Sequence, residues 1–224
     1  MHFVDVCGPP GSGKSTLCDP LWPPHALPID DELPPAEWHD FLNEITRLLH
    51  LIKPHPTFGA AIRMNNRSIR KMSTVSRAKH SVFAPYIQTG LVQRGLGFGW
   101  RLNDMGINLN ELRHFFRLMP VSIGVAVMEC SPEVVAQRNH DRLLVQETAH
   151  ENRDFMAPLM APAIDLAIEV LRDRAVPVLR INTEQHIDDA RTQLVSFARS
   201  QPCNAAPGRP SRQDSALSAP PWWR

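Results

Sequence analysis

The sequence predicts a three-layer α/β fold, with a parallel sheet of five strands between two layers of helices. Short apolar runs alternate with segments of helical periodicity, which is typical of parallel strands joined by crossover helices. The chain has 224 residues and is 43% hydrophobic, which suits one well-buried domain. We therefore expect a single domain over residues 1–200. Residues 201–224 are rich in Pro, Ser, Ala and Arg and are predicted to be a disordered tail.

The elements follow from apolar runs, periodicity and helix-stop signals. The five predicted strands are 3–7, 26–29, 86–89, 121–128 and 176–181. Helices are predicted from Leu17, at 37–52, at 60–82 (continuous, or broken near 73–74), and at about 108–118, 132–144, 161–175 and 186–199. Ser131-Pro132-Glu133 has the N-cap, the N1 proline and the first-turn acid of a helix start. Gly90 is predicted to start a turn, and Gly95, Gly97 and Gly99 follow it before the helix at 108.

Composition excludes several classes of protein. The chain has no run of about eighteen apolar residues, so no membrane span is predicted. The first residues lack the basic and apolar regions of a signal peptide. The four cysteines and ten histidines show no metal-ligand spacing. We therefore expect reduced thiols and a cytoplasmic location, the host cytoplasm if the protein is viral, with no membrane partner. The oligomeric state is left open.

A phosphate-binding motif follows the first strand. Gly8 to Ser15 match GxxxxGK[ST], with a strand before the motif and a helix after it. Such a loop cradles phosphates with backbone N–H groups, its lysine reaches the β- and γ-phosphates, and its hydroxyl ligates Mg²⁺. The predicted nucleotide-binding residues are Gly8, Pro9, Pro10, Gly11, Ser12, Gly13, Lys14, Ser15 and Thr16. Lys14 is predicted to stabilise the transferring group, and Ser15 to hold Mg²⁺.

The motif identifies a nucleotide site but not a reaction. No NKxD-type guanine signature occurs in the chain, which disfavours a GTPase. The position of the loop at the start of the chain, its Gly-x-Pro-Gly-Ser-Gly-Lys-Ser-Thr style and the chain length resemble the small P-loop kinases, including nucleotide and polynucleotide kinases. This resemblance implies a P-loop NTPase kinase-type fold with strand order 2-3-1-4-5, with ATP and Mg²⁺ as donor and cofactor.

Two acids at the end of the second predicted strand are candidates for a general base. Asp30 and Asp31 lie at the carboxyl end of that strand, where parallel sheets bind ligands. A carboxylate there could accept the proton of a hydroxyl acceptor. By resemblance to hydroxyl kinases Asp30 would be the base, and Asp31 is the alternative. Both could instead be solvated loop residues or cap the next helix.

Arginines follow the fourth predicted strand. Arg138 and Arg142 are four residues apart and share one helix face. By resemblance to nucleotide kinases they belong to a lid at about 138–155, which Arg153 could join, and they would neutralise the transferring phosphoryl group. An ordinary surface helix with salt bridges is the alternative. The same resemblance places Asn182 and Thr183 near adenine.

One feature of the resemblance is missing. The small P-loop kinases usually carry an acid at the end of the third strand, where this chain has Gln88 and Thr89. No Walker-B carboxylate is therefore visible. Mg²⁺ would be held by Ser15 and the phosphates, or an Asp30 or Asp31 carboxylate would act through water.

Positive charge is concentrated between residues 45 and 103. This stretch has ten basic residues and no acid, whereas the rest has 14 basic and 23 acidic residues. The basic residues are Arg47, Lys53, Arg63, Arg67, Arg70, Lys71, Arg77, Lys79, Arg94 and Arg101. The segment at about 53–82 is predicted to be an acceptor-binding insert, with Tyr86, Phe98 and Trp100 as stacking surfaces for a base. A solvated helix face and core aromatics are the alternatives.

These observations predict ATP-dependent phosphoryl transfer to a hydroxyl of a nucleic-acid-type acceptor. The most specific expectation is 5-hydroxymethyluracil in phage DNA, by general resemblance to viral P-loop kinases and from the basic insert. Two alternatives stay open. One is a nucleoside or nucleotide kinase acting on free mononucleotides, and the other is an ATP-binding regulatory protein without transferase activity.

Overall fold

The protein is described by a computed structural model that covers residues 3–18, 34–77, 86–88, 90–120, 122–145 and 156–201. Its sheet contains four parallel strands in the order β2-β1-β3-β4. They are β1 (Val4–Cys7), β2 (Tyr86–Gln88), β3 (Gly124–Glu129) and β4 (Val178–Asn182). Val4 pairs with Tyr86 on one side and with Gly124 on the other, so β1 is a central strand.

The predicted α/β class and parallel sheet are confirmed. The four strands correspond to the first, third, fourth and fifth predicted strands, and their relative order is the predicted one. The second predicted strand, at 26–29, lies outside the described residues, as do Asp30 and Asp31.

Eight α-helices lie within the described ranges. They are α1 (Lys14–Cys18), α2 (His39–Leu51), α3 (Phe58–Arg77), α4 (Leu91–Asp104), α5 (Arg113–Leu118), α6 (Pro132–Val145), α7 (Met156–Asp173) and α8 (Ile187–Ser200). Two short 3₁₀ turns, Ala36–Trp38 and Leu109–Leu112, precede α2 and α5. In the part of the chain that is described, none of these helices has the length and apolar character needed to cross a membrane.

Alternate side chains of the strands enter two separate cores, as the twofold period of a strand requires. Val4 and Val6 of β1 belong to a smaller core with Leu17 of α1 and Leu194 of α8. Phe3, together with the β3 residues Val125 and Val127, belongs to a larger core formed by α2, α3, α4, α5 and α7. Helices therefore cover both faces of the sheet, as the sequence predicted.

The glycine-rich segment after β2 is a helix, whereas the sequence predicted a turn from Gly90 and no helix before 108. Helix α4 begins at Leu91 and contains Gly95, Gly97 and Gly99. A Cβ on Gly95 would lie 2.4 Å from the Phe116 ring, and one on Gly99 would lie 2.3 Å from Ala163 Cβ. Close packing of α4 on α5 and α7 therefore needs glycine at these positions. Tertiary contact outweighs the low helix propensity of glycine.

Two predicted stacking residues also lie in this helix, and they are core residues. Phe98 is 1% exposed and Trp100 is 4% exposed, so neither offers a free ring face to a base. Trp100 packs edge-on against His55 and has the Arg101 guanidinium over its ring at 4.5 Å. The basic helix predicted at 60–82 is α3, which begins at Phe58 and continues without a break through residues 73 and 74 to Arg77.

Candidate nucleotide-binding site

The loop between β1 and α1 has the backbone of a phosphate cradle. Gly8, Gly11 and Gly13 have φ values of 147°, 82° and 82°, a region that L-residues with a Cβ rarely adopt. At Gly8 a Cβ would also lie 2.6 Å from the Met128 carbonyl oxygen of β3. The glycines of the motif are thus required by the backbone conformation, and the conformation turns the loop around the carboxyl end of β1.

Lys14 folds back over this loop. Its Nζ donates hydrogen bonds to the carbonyl oxygens of Gly8 and Pro9, each at 2.7 Å, and to Ser12 Oγ at 3.3 Å. The ammonium group is therefore held in the concavity of the loop, where the phosphates of a nucleotide would lie. Because lysine has a flexible four-carbon stem, its ammonium can exchange loop carbonyls for phosphate oxygens with little rearrangement.

The start of the loop is tied to α4. The backbone N–H of Gly8 donates to Oε1 of Gln93 at 2.9 Å. The carboxylate of Asp5, which is 2% exposed, accepts a 2.8 Å hydrogen bond from the N–H of Val92. A Cβ on Gly90 would lie 2.5 Å from that carboxylate, so the start of α4 is packed directly against β1. Sequence reasoning missed both contacts, although Asp5 is the one charged residue of an otherwise apolar strand.

Arg138 of α6 lies on the opposite side of the loop. Its Nη2 donates to the Thr183 carbonyl oxygen at 2.8 Å and its Nη1 to Thr183 Oγ1 at 3.2 Å, with a longer 3.5 Å contact to the Gly11 carbonyl oxygen. Thr183 Oγ1 in turn donates to the Glu129 carbonyl oxygen at 3.1 Å. The guanidinium therefore bridges the phosphate loop and the segment that follows β4.

A cavity of about 400 Å³ opens between the loop, α6 and the segment after β4. Its lining residues are Gly11, Gly13, Thr16, Leu17, Arg138, Asp141, Thr183, Gln185, Ile187 and Ala190. Its size suits a small planar ligand, and apolar side chains with a few polar groups are the usual lining of such sites. Thr183, which the resemblance placed near adenine, lines this cavity, as does Arg138.

The N-terminus of α6 has the predicted cap. Ser131 Oγ accepts from the N–H of Val134 at 3.4 Å, Pro132 is the first helical residue, and Glu133 lies in the first turn. The backbone N–H of Ser131 also donates to Glu184 Oε1. This backbone hydrogen bond, with a smaller contribution from the Arg138 charge, lowers the pKa of the Glu184 carboxyl.

Asn139, the residue after Arg138, faces the loop from the same helix. Its side chain is 3% exposed, and neither its Oδ1 nor its Nδ2 has a hydrogen-bond partner among the residues that the structure describes. A Cβ on Gly11 would lie 2.9 Å from Asn139 Oδ1. The lack of a Cβ at Gly11 therefore lets α6 approach the loop closely.

The residues present suit a magnesium–nucleotide pair. Ser15 lies in the first turn of α1 and is exposed, so its hydroxyl would hold Mg²⁺ together with phosphate oxygens. Mg²⁺ is commonly bound in this way, by one or two protein ligands plus substrate phosphates and water. Asp5 is 2% exposed, and one of its carboxylate oxygens accepts from the Val92 N–H at the start of α4.

The other predicted site residues are placed only in part. Asp30, Asp31 and Arg153 lie outside the described residues. Arg142 lies on α6, one turn after Arg138, but its side chain is not described. The ten basic residues were predicted to have no opposing acid, and this is wrong for Arg47. Its guanidinium forms ion pairs with Glu44 at 2.7 Å and Glu111 at 2.5 Å.

Comparisons with known proteins address the fold. No protein-family model matches the chain, and no curated protein matches it. Among solved structures, the chain is similar to a deoxyadenosine kinase from M. mycoides with bound dCTP. The identity is 10% and the TM-score is 0.46, with 88% of this chain and 98% of that chain covered. A likeness of this degree concerns the course of the backbone, so the chemistry is inferred from the site itself.

Proposed function

We propose that this protein is a kinase that transfers the γ-phosphoryl group of ATP to an oxygen atom of a nucleoside or nucleotide. The observation that carries the proposal is the phosphate cradle of Gly8 to Ser15, with the Lys14 ammonium inside it and a 400 Å³ cavity beside it. The cradle would take the phosphates, and the cavity would take the base.

The reaction conserves atoms and charge in a simple way. The bond between the γ-phosphorus and the oxygen that bridges to the β-phosphate breaks, and a bond to the acceptor oxygen forms. ADP leaves with the bridging electron pair. Catalysis of such a transfer depends on positioning and on stabilising the charge that develops on the phosphoryl oxygens. Lys14 and the backbone N–H groups of the loop would supply this stabilisation. Mg²⁺ would shield the phosphate charges when bound.

The role of a base depends on the acceptor. A hydroxyl acceptor loses its proton as the new bond forms, and Asp30 is the residue proposed to accept that proton, with Asp31 as the alternative. A phosphate acceptor is already deprotonated at neutral pH and needs no base. A comparison of Asp30→Asn with Asp31→Asn on hydroxyl acceptors would therefore tell which carboxylate acts.

The structure favours a small acceptor over a base within DNA. Phe98 and Trp100 are buried, and Arg47 is engaged by two glutamates. Arg94 and Arg101, the two cations that follow β2, are 7% and 5% exposed. A duplex backbone needs exposed cations along a continuous surface. Arg63 and Arg67 on α3 are exposed and could contact a duplex backbone. DNA that contains 5-hydroxymethyluracil is therefore kept as one of the acceptors in the experiment.

The experiment incubates the full chain with γ-labelled ATP and Mg²⁺ and with three sets of acceptors: nucleosides, nucleoside monophosphates, and DNA with or without 5-hydroxymethyluracil. We expect label on a nucleoside or a nucleoside monophosphate. Lys14→Ala should abolish the transfer, whereas Arg199→Ala, a change at an exposed arginine in the last turn of α8, should not alter it.

Each other result has a definite meaning. Label on DNA alone would overturn the small-acceptor proposal and support 5-hydroxymethyluracil in DNA as the acceptor. ATP binding without label on any acceptor would instead indicate the regulatory protein. Equal activity in Lys14→Ala and Arg199→Ala would show that the transfer does not depend on the loop.

A further inference from the structure

Asn139 of α6 is a buried side chain whose amide is unpaired. It is 3% exposed, and among the residues that the structure describes neither its Oδ1 nor its Nδ2 has a hydrogen-bond partner. Buried amides are normally paired, because an amide that leaves water without a replacement hydrogen bond costs free energy. Since this amide lies against the phosphate loop, a change in the loop could supply the missing partner.

Helix α6 contacts the loop at two successive turns. A Cβ on Gly11 would lie 2.9 Å from Asn139 Oδ1 and 3.0 Å from the carbonyl oxygen of Val135, which is four residues earlier on the same helix face. Gly11 has a φ of 82°, so its backbone conformation also favours a residue without a Cβ. A small shift of the Gly11 peptide would therefore change what the Asn139 amide faces.

The Gly11 carbonyl oxygen is only weakly engaged by Arg138. The distance to Arg138 Nη1 is 3.5 Å, beyond the usual range for a hydrogen bond. The Arg138 guanidinium is held more closely by Thr183, at 2.8 Å through Nη2 and at 3.2 Å through Nη1. An acceptor with a distant donor thus belongs to the residue that Asn139 contacts, and Asn139 Nδ2 is a donor with no acceptor.

A nucleotide in the loop would change this arrangement. Arg138 lines the cavity beside the loop, and phosphates attract a guanidinium strongly. If Arg138 turns toward the phosphates, the Gly11 carbonyl oxygen loses its long contact and is left for Asn139. A half-turn of the planar amide brings Nδ2 to the place of Oδ1, where it faces Gly11. The filled loop would then offer Asn139 the acceptor that it lacks in the empty protein.

We infer that Asn139 is a positioning residue for the nucleotide-bound loop, and that its Nδ2 donates to the Gly11 carbonyl oxygen only when the loop is filled. The inference rests on the proposed function and adds a residue to it, since Asn139 is not one of the described residues that line the cavity. A hydrogen bond made in one state alone shifts the equilibrium toward that state. Asn139 therefore raises the affinity for a nucleotide and lowers the stability of the empty protein.

The experiment compares the empty and the loaded protein. Thermal unfolding of the full chain without nucleotide reports on the empty state, and calorimetric titration with a non-hydrolysable ATP analogue and Mg²⁺ gives the affinity without turnover. Asn139→Leu removes both polar atoms at similar volume. Its thermal midpoint should equal or exceed that of wild type, because an unsatisfied buried amide is lost. Its affinity for the analogue should fall about fivefold, as the loss of one hydrogen bond implies.

A double change connects this effect to the Gly11 carbonyl oxygen. In Arg138→Met that oxygen has lost its long contact in the empty protein as well, so Asn139 can donate to it there. In this background Asn139→Leu should lower the thermal midpoint, which it does not do alone, and should weaken analogue binding by less than about twofold. Simple additivity of the two changes in both quantities would overturn the inference, because residues without a shared partner behave in that way.

A control and a second variant keep the test decisive. Asn110→Leu, at an exposed asparagine of the 3₁₀ turn before α5, is the matched control and should change neither quantity. If Asn139→Leu does not fold, Asn139→Ala serves for the titration and should also weaken binding about fivefold. Affinity equal to that of wild type in either Asn139 variant would overturn the inference, and so would a lower thermal midpoint for Asn139→Leu alone.

Failure of the proposed function would give a different result. Analogue binding with the expected pattern in the variants, but without phosphoryl transfer to any acceptor, would overturn the proposed kinase and leave the role of Asn139 in place. Absence of analogue binding in the wild-type protein would overturn both.

Discussion

The side chain of Gln93 accepts a 2.9 Å hydrogen bond from the backbone N–H of Gly8. Eighty-five residues separate the two in the chain, and the bond joins the phosphate loop to the helix that follows β2. Arg94 comes next on that helix. The start of the phosphate loop is therefore held by a helix that is distant in the chain, through one part-buried hydrogen bond.

Replacement of Gln93 should weaken both the fold and nucleotide binding. Gln93→Leu leaves the Gly8 N–H without its acceptor, and we expect a loss of about 1 kcal/mol in the free energy of unfolding. The affinity for ATP should also fall, since the loop is no longer held at its start. Urea unfolding and calorimetric titration would measure the two effects. Gln193→Leu on the exposed face of α8 is the control, and an equal loss in that variant would show that the contact has no special role.

The glycines of α4 should respond in opposite directions to alanine. A Cβ on Gly97 would meet only Arg101 Nη1, at 3.7 Å, so Gly97→Ala should raise the free energy of unfolding by about 0.5–1 kcal/mol. A Cβ on Gly99 would overlap Ala163, so Gly99→Ala should lower it by about 1–3 kcal/mol. Both changes are made in the same helix and measured by urea unfolding. The same sign for the two variants would contradict the packing of α4 on α7.

Arg138 should act on ATP binding more than on the rate of transfer. Its guanidinium is bonded to Thr183 and lines the cavity proposed for the base. We expect Arg138→Met to raise the dissociation constant for ATP about tenfold, which corresponds to about 1.4 kcal/mol, with little change in kcat. Thr183→Val should have a smaller effect in the same direction. A fall in kcat at unchanged affinity would instead support the role that the sequence predicted, neutralisation of the transferring group.

Glu184 should make stability depend on pH in the acid range. The hydrogen bond from the Ser131 N–H lowers its pKa in the folded state, so the ionised form is favoured by folding. Its contribution is present above the unfolded pKa of about 4.3 and is lost as the pH falls through the lower folded value. The thermal midpoint of Glu184→Gln should therefore lie below that of wild type at pH 7, and the two should converge at strongly acid pH. A constant difference across pH would exclude the ionised carboxylate as the cause.

Much of the fold could be predicted because its signals are local. The loop motif, the strand before it and the Ser131 cap each depend on a few consecutive residues, and each lies where it was predicted. Helix α4 was missed because glycine has low helix propensity and its compensation comes from Phe116 and Ala163, which are distant in the chain. The roles of Asp30 and Arg142 remain predictions.

By itself, the sequence determined the α/β class, the phosphate loop and the excess of basic residues in one segment, since these depend on residue type and spacing along the chain. Only the tertiary structure decided which of those basic residues are neutralised, as Arg47 is by two acids, and which are buried, as Arg94 and Arg101 are. The reason is physical. The energy of a charge depends on its solvent exposure and on the groups around it, and packing between distant segments sets both.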